Sequence, residues 1–341
     1  MHAVVPAVEQ LLDVLRREDD TMAVEQGPPY TDAPLDPTGG DAFVSGVQQV
    51  LRAHGIDDAP WFLTVGLVNP HDIMWFPIDQ PWYREREPDT YELAKSILAS
   101  RDWGRADNFP PFVHEIDRWF TELPANFDDD LHTKPEVHRS FMTGWMNRYP
   151  FMSIERDDPD IWLRQLDYYV KLHELSDQSL GMILNAMDDI GGWDDTVVIF
   201  TSDHGDQCGS HGLRSKGPWN YQETMRIPLY IVAPGVTKPG TTTHALTSAV
   251  DLAREIAEFA GVNAADTPTL QGNSMATLFE DSDSKVRDFV LFSQEWAWWQ
   301  GVERSRYASS GVFDGRMAPP SSRGCWRCTF SPRSLPHGGE C

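Results

Sequence analysis

The chain has 341 residues, 40% of them hydrophobic, which is enough to bury a large core as one big domain or two ordinary ones. Its 52 acidic and 28 basic side chains give a formal net charge of −24, which argues against nucleic acid or an anionic membrane as a general partner. There are 4 cysteines, three of them clustered near the end (Cys325, Cys328 and Cys341), so no disulfide framework supports the body.

The start, MHAVVPAVEQLLDVLRRED, is an amphipathic helix candidate without the basic-then-apolar order of a signal peptide. No apolar run approaches a membrane span, so a cytoplasmic protein is expected. Residues 18–41, rich in Asp, Pro, Gly and Thr, read as loop, and 43–54 as helix. The continuous apolar run WFLTVGLV predicts a strand over 61–68 covered on both faces, ending in the turn Asn69-Pro70-His71-Asp72. From 75 to 160 the chain is irregular, with helix expected near 90–100 and 111–121 and tryptophans at 75, 82, 103, 119 and 145 that partly line or cover a cleft. Apolar residues at helical spacing predict a long helix over 161–190, stopped by Gly191-Gly192. A strand at 196–202, a strand in RIPLYIVAPG, a capped helix at 248–260 and a strand at 288–293 follow. Strands alternating with helices imply an α/β sheet. The segment 316–341 carries four Arg against one Glu and clustered Pro, Ser and Gly, and is expected to be a poorly ordered basic tail. Composition thus divides the chain into a helix and loop over 1–42, an α/β domain over 43–315 and the tail.

The chemistry concentrates in TSDHGDQCGSHGLRSK, residues 201–216, where an apolar strand runs into an acid, two imidazoles and an ammonium. In open α/β sheets ligands bind beyond the carboxyl ends of strands, and His71-Asp72 sits at a second such end. Asp203 offers hard oxygen and His204 an imidazole nitrogen, half of a divalent-metal site. Gly205, Gly209 and Gly212 allow close approach to a small anion, Lys216 can hold a tetrahedral oxyanion, and His71 or His211 can protonate a leaving oxygen. Together these roles suit hydrolysis of a sulfate or phosphate ester. Taken singly, an Asp-His pair is usually a hydrogen-bonded turn and a lone Lys a solvated one. His173, Asp177 and the run Asp128-Asp129-Asp130 read as surface or packing features.

The order of motifs carries more weight. PWFLTVGLVNPHDI, LPANFDDDLHTKP, DDTVVIFTSDHGDQCGSHGLRSK, YQETMRIPLYIVAPG, SAVDLAREIAEFAGV and LQGNSMATLFED, in this sequence, resemble the sulfatase family of the alkaline-phosphatase-like superfamily over about residues 40–315. The Asp-His version looks closest to choline-sulfatase-like and phosphonate-monoester-hydrolase-like members. The resemblance implies an alkaline-phosphatase-like sandwich with a mostly parallel central sheet. It implies Asp203 and His204 as metal ligands, Lys216 and His71 on the sulfate, and a further role for His211. Calcium is the usual family metal, and the His ligand opens manganese, magnesium or zinc. The partner implied is a small-molecule sulfate or phosphate ester; oligomeric state stays open.

Other family parts are missing. Its nucleophile is a formylglycine made from Cys or Ser in C/S-x-P-x-R, and no Cys or Ser here fits that motif. An Asp-Asp pair after an apolar first strand and a Lys-x-x-His segment are also absent. All of these lie upstream in family order, so an N-terminally truncated and inactive sulfatase with marginal stability is expected. A phosphodiesterase or phosphonate monoester hydrolase, and a non-catalytic binding fragment, are the alternatives.

Overall fold

The structure, a computed structural model, describes residues 21–25, 61–67, 69–99, 115–134, 138–139, 154, 156–217, 220–296, 307–313 and 327–332. The helices expected near the N-terminus and at 43–54 lie outside these residues, as do Trp103, Trp145 and most of the tail. The chain forms two compact units. One comprises Met1–Thr21, Trp193–Gly205 and Pro218–Cys341; the other comprises Met22–Gly192 and Asp206–Gly217. These boundaries do not follow the compositional ones at 42 and 315. They fall within the motif itself, between Gly205 and Asp206.

The second unit is built around one long helix. Strand β1 (Thr21–Glu25), in a stretch expected to be loop, pairs with β2 (Phe62–Gly66). After β2 come a 3-10 turn at His71–Trp75 and the helices α1 (Pro81–Arg86) and α2 (Pro88–Ala99). Helix α3 (Pro159–Ile190) starts where Asp158 accepts the Ile161 N–H at 3.3 Å with Pro159 behind it, and ends at Gly191 in the left-handed region, φ 64°. Its buried side chains Ile161, Trp162, Tyr168 and Leu172 recur at helical spacing. They meet Ile73, Trp75, Phe76, Ile78, Tyr83 and Phe127 in the main core. Trp75 is therefore core, Trp82 lies beneath the Arg164 guanidinium at 4.6 Å, and Trp119 is exposed.

The helix expected over 111–121 is not formed at 115–120. The reason is tertiary: the buried Asp167 carboxylate of α3 takes the Trp119 and Phe120 N–H groups at 2.9 and 3.1 Å, and these donors are then lost to a helical ladder.

In the first unit β3 (Val198–Thr201) pairs antiparallel with β4 (Leu229–Val232), aligning Phe200 with Tyr230. Between them lies the short helix α4 (Gln222–Met225). Helix α5 (Ala249–Phe259) opens on a capping box in which Ser248 and Asp251 satisfy each other's backbone N–H. Along α5, Asp251 accepts the Asn273 N–H at 2.8 Å and Glu255 the Met275 N–H at 2.7 Å, while Arg254 donates to the Leu270 and Gly272 carbonyls. That grip fixes LQGNSM ahead of α6 (Ala276–Glu280). Strands β5 (Val290–Trp296), β6 (Tyr307–Phe313) and β7 (Arg327–Pro332) form an antiparallel sheet in that order. Part of the stretch expected to be a loose tail is thus strand β7. The pairings β3–β4, β5–β6 and β6–β7 are antiparallel, where a mostly parallel sheet was expected. Alternation of strands and helices in sequence reports which elements exist, not which strand edges meet.

Candidate active site

Asp203 and His204 follow β3 in the first unit. Their backbone is held by close packing on α4. The Gly205 N–H donates to the Thr224 carbonyl at 2.8 Å, and any Cβ at Gly205 would overlap the Glu223 carbonyl oxygen. The Ser202 hydroxyl donates to the His204 carbonyl at 3.0 Å, and the Asp203 carboxylate accepts the His204 N–H at 2.9 Å. The imidazole of His204 stands between two oxygens. Nδ1 faces the Gly205 carbonyl at 3.0 Å and Nε2 faces Asp203 Oδ2 at 3.2 Å. Both oxygens only accept. A neutral ring carries one N–H, so either tautomer sets the other nitrogen's lone pair against an oxygen. A proton or a cation between Nε2 and Oδ2 removes that conflict. Bonds of ~2.1–2.4 Å at right angles put two ligand atoms ~3 Å apart, close to the spacing seen. The donor set thus fits a hard or borderline divalent cation, and the Asp203 side chain is 82% exposed to receive one. Among the described residues no group of three or more His, Cys, Asp or Glu side chains is placed to hold a metal, and Asp203 and His204 by themselves would supply only part of a shell.

His71, His211 and Lys216 belong to the second unit. His71 opens the 3-10 turn. Asn69 shapes that turn by accepting the Asp72 N–H at 3.2 Å, and Ser176 of α3 donates to the Asn69 carbonyl at 2.8 Å. The buried Arg214 then joins this turn to the loop 206–217, donating to the Ile73 and Phe76 carbonyls at 3.1 and 2.8 Å. Burial lowers the pKa of its guanidinium, and Asp206 acts against that shift. Asp206 organises the loop: its Oδ1 accepts the N–H groups of Cys208 and Ser215 at 2.9 and 3.1 Å. Half-buried Lys216 comes directly after Ser215. Burial, with the Asp206 carboxylate alongside, pushes the Cys208 thiol well above its ordinary range, which favours the protonated thiol over the thiolate.

His211 occupies the left-handed region at φ 59°. Its Nδ1 meets Asp129 Oδ2 at 2.8 Å and its Nε2 meets Asn126 Nδ2 at 3.2 Å. Burial acts to raise the Asp129 carboxyl, but the Leu131 N–H and the His211 ring outweigh it and hold the group below the usual carboxylate range. Arg156 donates to the Phe127 and Asp129 carbonyls at 2.6 and 2.8 Å. A Cβ at Gly212 (φ 62°) would lie 2.7 Å from the Arg156 guanidinium carbon. Of the glycines read from sequence as a cradle for an anion, Gly205 and Gly212 are hemmed in by protein atoms, and Gly209 adopts a left-handed φ of 95°.

Asn126, Asp129, Arg156, Asp206 and Arg214 were not singled out by sequence reasoning. Asp129 sat inside an acidic run that looked like surface, and its partner lies 82 residues away. The place of LPANFDDD in the order of family-like motifs was the available signal.

The family model described as Sulfatase matches residues 29–262. The chain belongs to the sulfatase family. An N-acetylglucosamine-6-O-sulfatase of Bacteroides thetaiotaomicron is 35% identical over 114 residues, which cover 33% of this chain and 20% of that protein. The multifunctional alkaline phosphatase superfamily protein PehA of Trinickia caryophylli is 28% identical over 209 residues, 61% of this chain and 35% of PehA. Among solved structures, a 2-O GAG sulfatase superposes with a TM-score of 0.61 at 18% identity, covering 90% of this chain and 63% of that one. This sulfatase-family chain therefore shares the fold of that enzyme while spanning only part of the length of its curated relatives.

Proposed function

We propose that this sulfatase-family chain carries the metal-binding and anion-binding residues of a sulfate-ester hydrolase. Asp203 and His204 would hold a divalent metal, with calcium the first candidate and manganese, magnesium or zinc allowed by the imidazole. Such a metal supplies Lewis-acid polarisation of an ester oxygen. Lys216 contributes a point charge to a sulfate oxygen, and His71 a donor to the departing oxygen. The observation that carries this reading is the His204 ring, held between a carbonyl and a carboxylate so that only a proton or a cation satisfies it. The small-molecule ester is favoured over polyanionic partners by the net charge of −24.

No Cys or Ser among the 341 residues stands in a C/S-x-P-x-R context, so we expect the chain alone to bind without rapid turnover. Calorimetry of the full chain with calcium and with manganese tests the metal half, and titration with inorganic sulfate tests the anion half. Metal binding should be lost in Asp203→Ala and sulfate binding in Lys216→Ala. Metal affinity unchanged by Asp203→Ala refutes the assignment. Likeness to PehA, a multifunctional superfamily protein, supports a second reading in which the same residues serve a phosphate or phosphonate ester. Tighter competition by phenylphosphonate than by sulfate would favour it.

A further inference from the structure

The run Asp128-Asp129-Asp130 was expected to be a surface or packing feature, yet the loop 123–131 that holds it is tied to His211 by two side-chain contacts. A carboxylate only accepts hydrogen bonds, so the 2.8 Å contact with Asp129 Oδ2 places the ring proton of neutral His211 on Nδ1. Asp129 cannot turn away easily, because its other oxygen, Oδ1, accepts the Leu131 N–H at 2.9 Å. Its backbone is fixed as well, since Arg156 Nη2 donates to the carbonyls of Phe127 and Asp129. That leaves Nε2 as the acceptor of the ring, and the Asn126 amide nitrogen lies 3.2 Å from it. His211 is 15% exposed and Asp129 24%, so the pair is mostly covered by protein. An imidazole oriented by a carboxylate on Nδ1, with Nε2 on a neutral amide, is an arrangement that suits a proton-handling histidine.

We propose that Asp129 and Asn126 are positioning residues: Asp129 fixes the Nδ1–H tautomer of His211, and the Asn126 amide donates to Nε2 of the neutral ring until that nitrogen takes up a proton from solvent and donates it to an oxygen of the bound ester or sulfate. This rests on the sulfate-ester reading above. It assigns work to an acidic run and an LPAN segment that the reading itself does not use. The Asn126 side chain suits a placeholder. Its NH2 serves a neutral ring and its carbonyl, after an amide rotation, serves a ring that has taken up a proton. The device works through hydrogen-bond direction rather than through charge alone.

Nitrogen-15 NMR of the histidine rings in the full-length chain tests this. In the wild type, His211 should show its pyrrole-type nitrogen at Nδ1 and its pyridine-type nitrogen at Nε2. In Asp129→Asn the retained oxygen must still accept the Leu131 N–H, which turns the amide NH2 toward Nδ1. The two signals should then change places, in a variant of the same shape. Inorganic sulfate added to the wild type should shift the Nε2 signal and leave Nδ1–H in place. A wild-type ring protonated at Nε2 overturns the proposal. So does sulfate whose binding is lost in Lys216→Ala but leaves the His211 signals unmoved, an outcome in which the sulfate-ester reading survives. A chain that binds no sulfate removes that reading, and the positioning role with it.

Discussion

Two buried groups in the second unit should oppose each other as pH changes. Asp79 is fully enclosed, and burial pushes its carboxyl up from 3.8 to about 6 against the pull of the Tyr168 hydroxyl, the Gln80 amide and Arg84. A carboxyl with a raised folded-state pKa favours folding when protonated. Between about pH 4 and 6 the unfolded chain releases this proton and the folded chain keeps it, so stability falls as pH rises, by ~3 kcal/mol at ~1.4 kcal/mol per unit. His138 does the reverse. Burial, helped by the charges of Lys134 and His211, draws it from 6.5 down to about 4. Acidification through that window protonates the unfolded chain first, so stability falls as pH drops, again by ~3 kcal/mol. The two slopes should nearly cancel in the wild type. Asp79→Asn keeps an acceptor for Tyr168 and removes one slope. Urea denaturation followed by tryptophan fluorescence at pH 4, 5, 6 and 7 should show the variant gaining ~3 kcal/mol relative to wild type from pH 4 to pH 7. A difference that stays constant across that range would falsify the assignment of a neutral Asp79 in the folded state.

Phe76 is fully buried in the main core, so Phe76→Ala should cost about 3–5 kcal/mol in the same denaturation assay. Arg214→Met leaves the Ile73 and Phe76 carbonyls without their donor and should cost about 2–4 kcal/mol; faster hydrogen exchange at residues 73–78 would locate the damage. Gly205→Ala forces the turn off α4 against the Glu223 carbonyl and should lower stability by at least about 2 kcal/mol, with calcium or manganese affinity falling alongside. An alanine tolerated there, with unchanged midpoint and metal affinity, would mean that this turn is not held as described.

The long helix, β2 and the Asp-His turn after β3 could be read from the chain because their signals are local. Apolar residues recur at helical spacing from Ile161 to Met187, and Gly191 ends the run by adopting a conformation that side chains resist. The family was legible too, because motif order survives without knowledge of any contact. The fate of 115–120 was not legible, since its N–H groups are claimed by Asp167, 47 and 48 positions away. Nor was the pairing of β3 with β4, or strand β7 within the stretch read as tail.

The same division runs through the candidate site. Sequence alone nominated Asp203, His204, His71, His211 and Lys216 as candidates, because residue type and spacing advertise what a side chain can do. Only the tertiary structure showed that His211 is oriented by Asp129, that Arg214 ties the His71 turn to the Lys216 loop, and that Gly205 and Gly212 make room for backbone and guanidinium. Hydrogen-bond direction and close packing depend on which atoms meet across many intervening residues, and a linear pattern does not record those meetings.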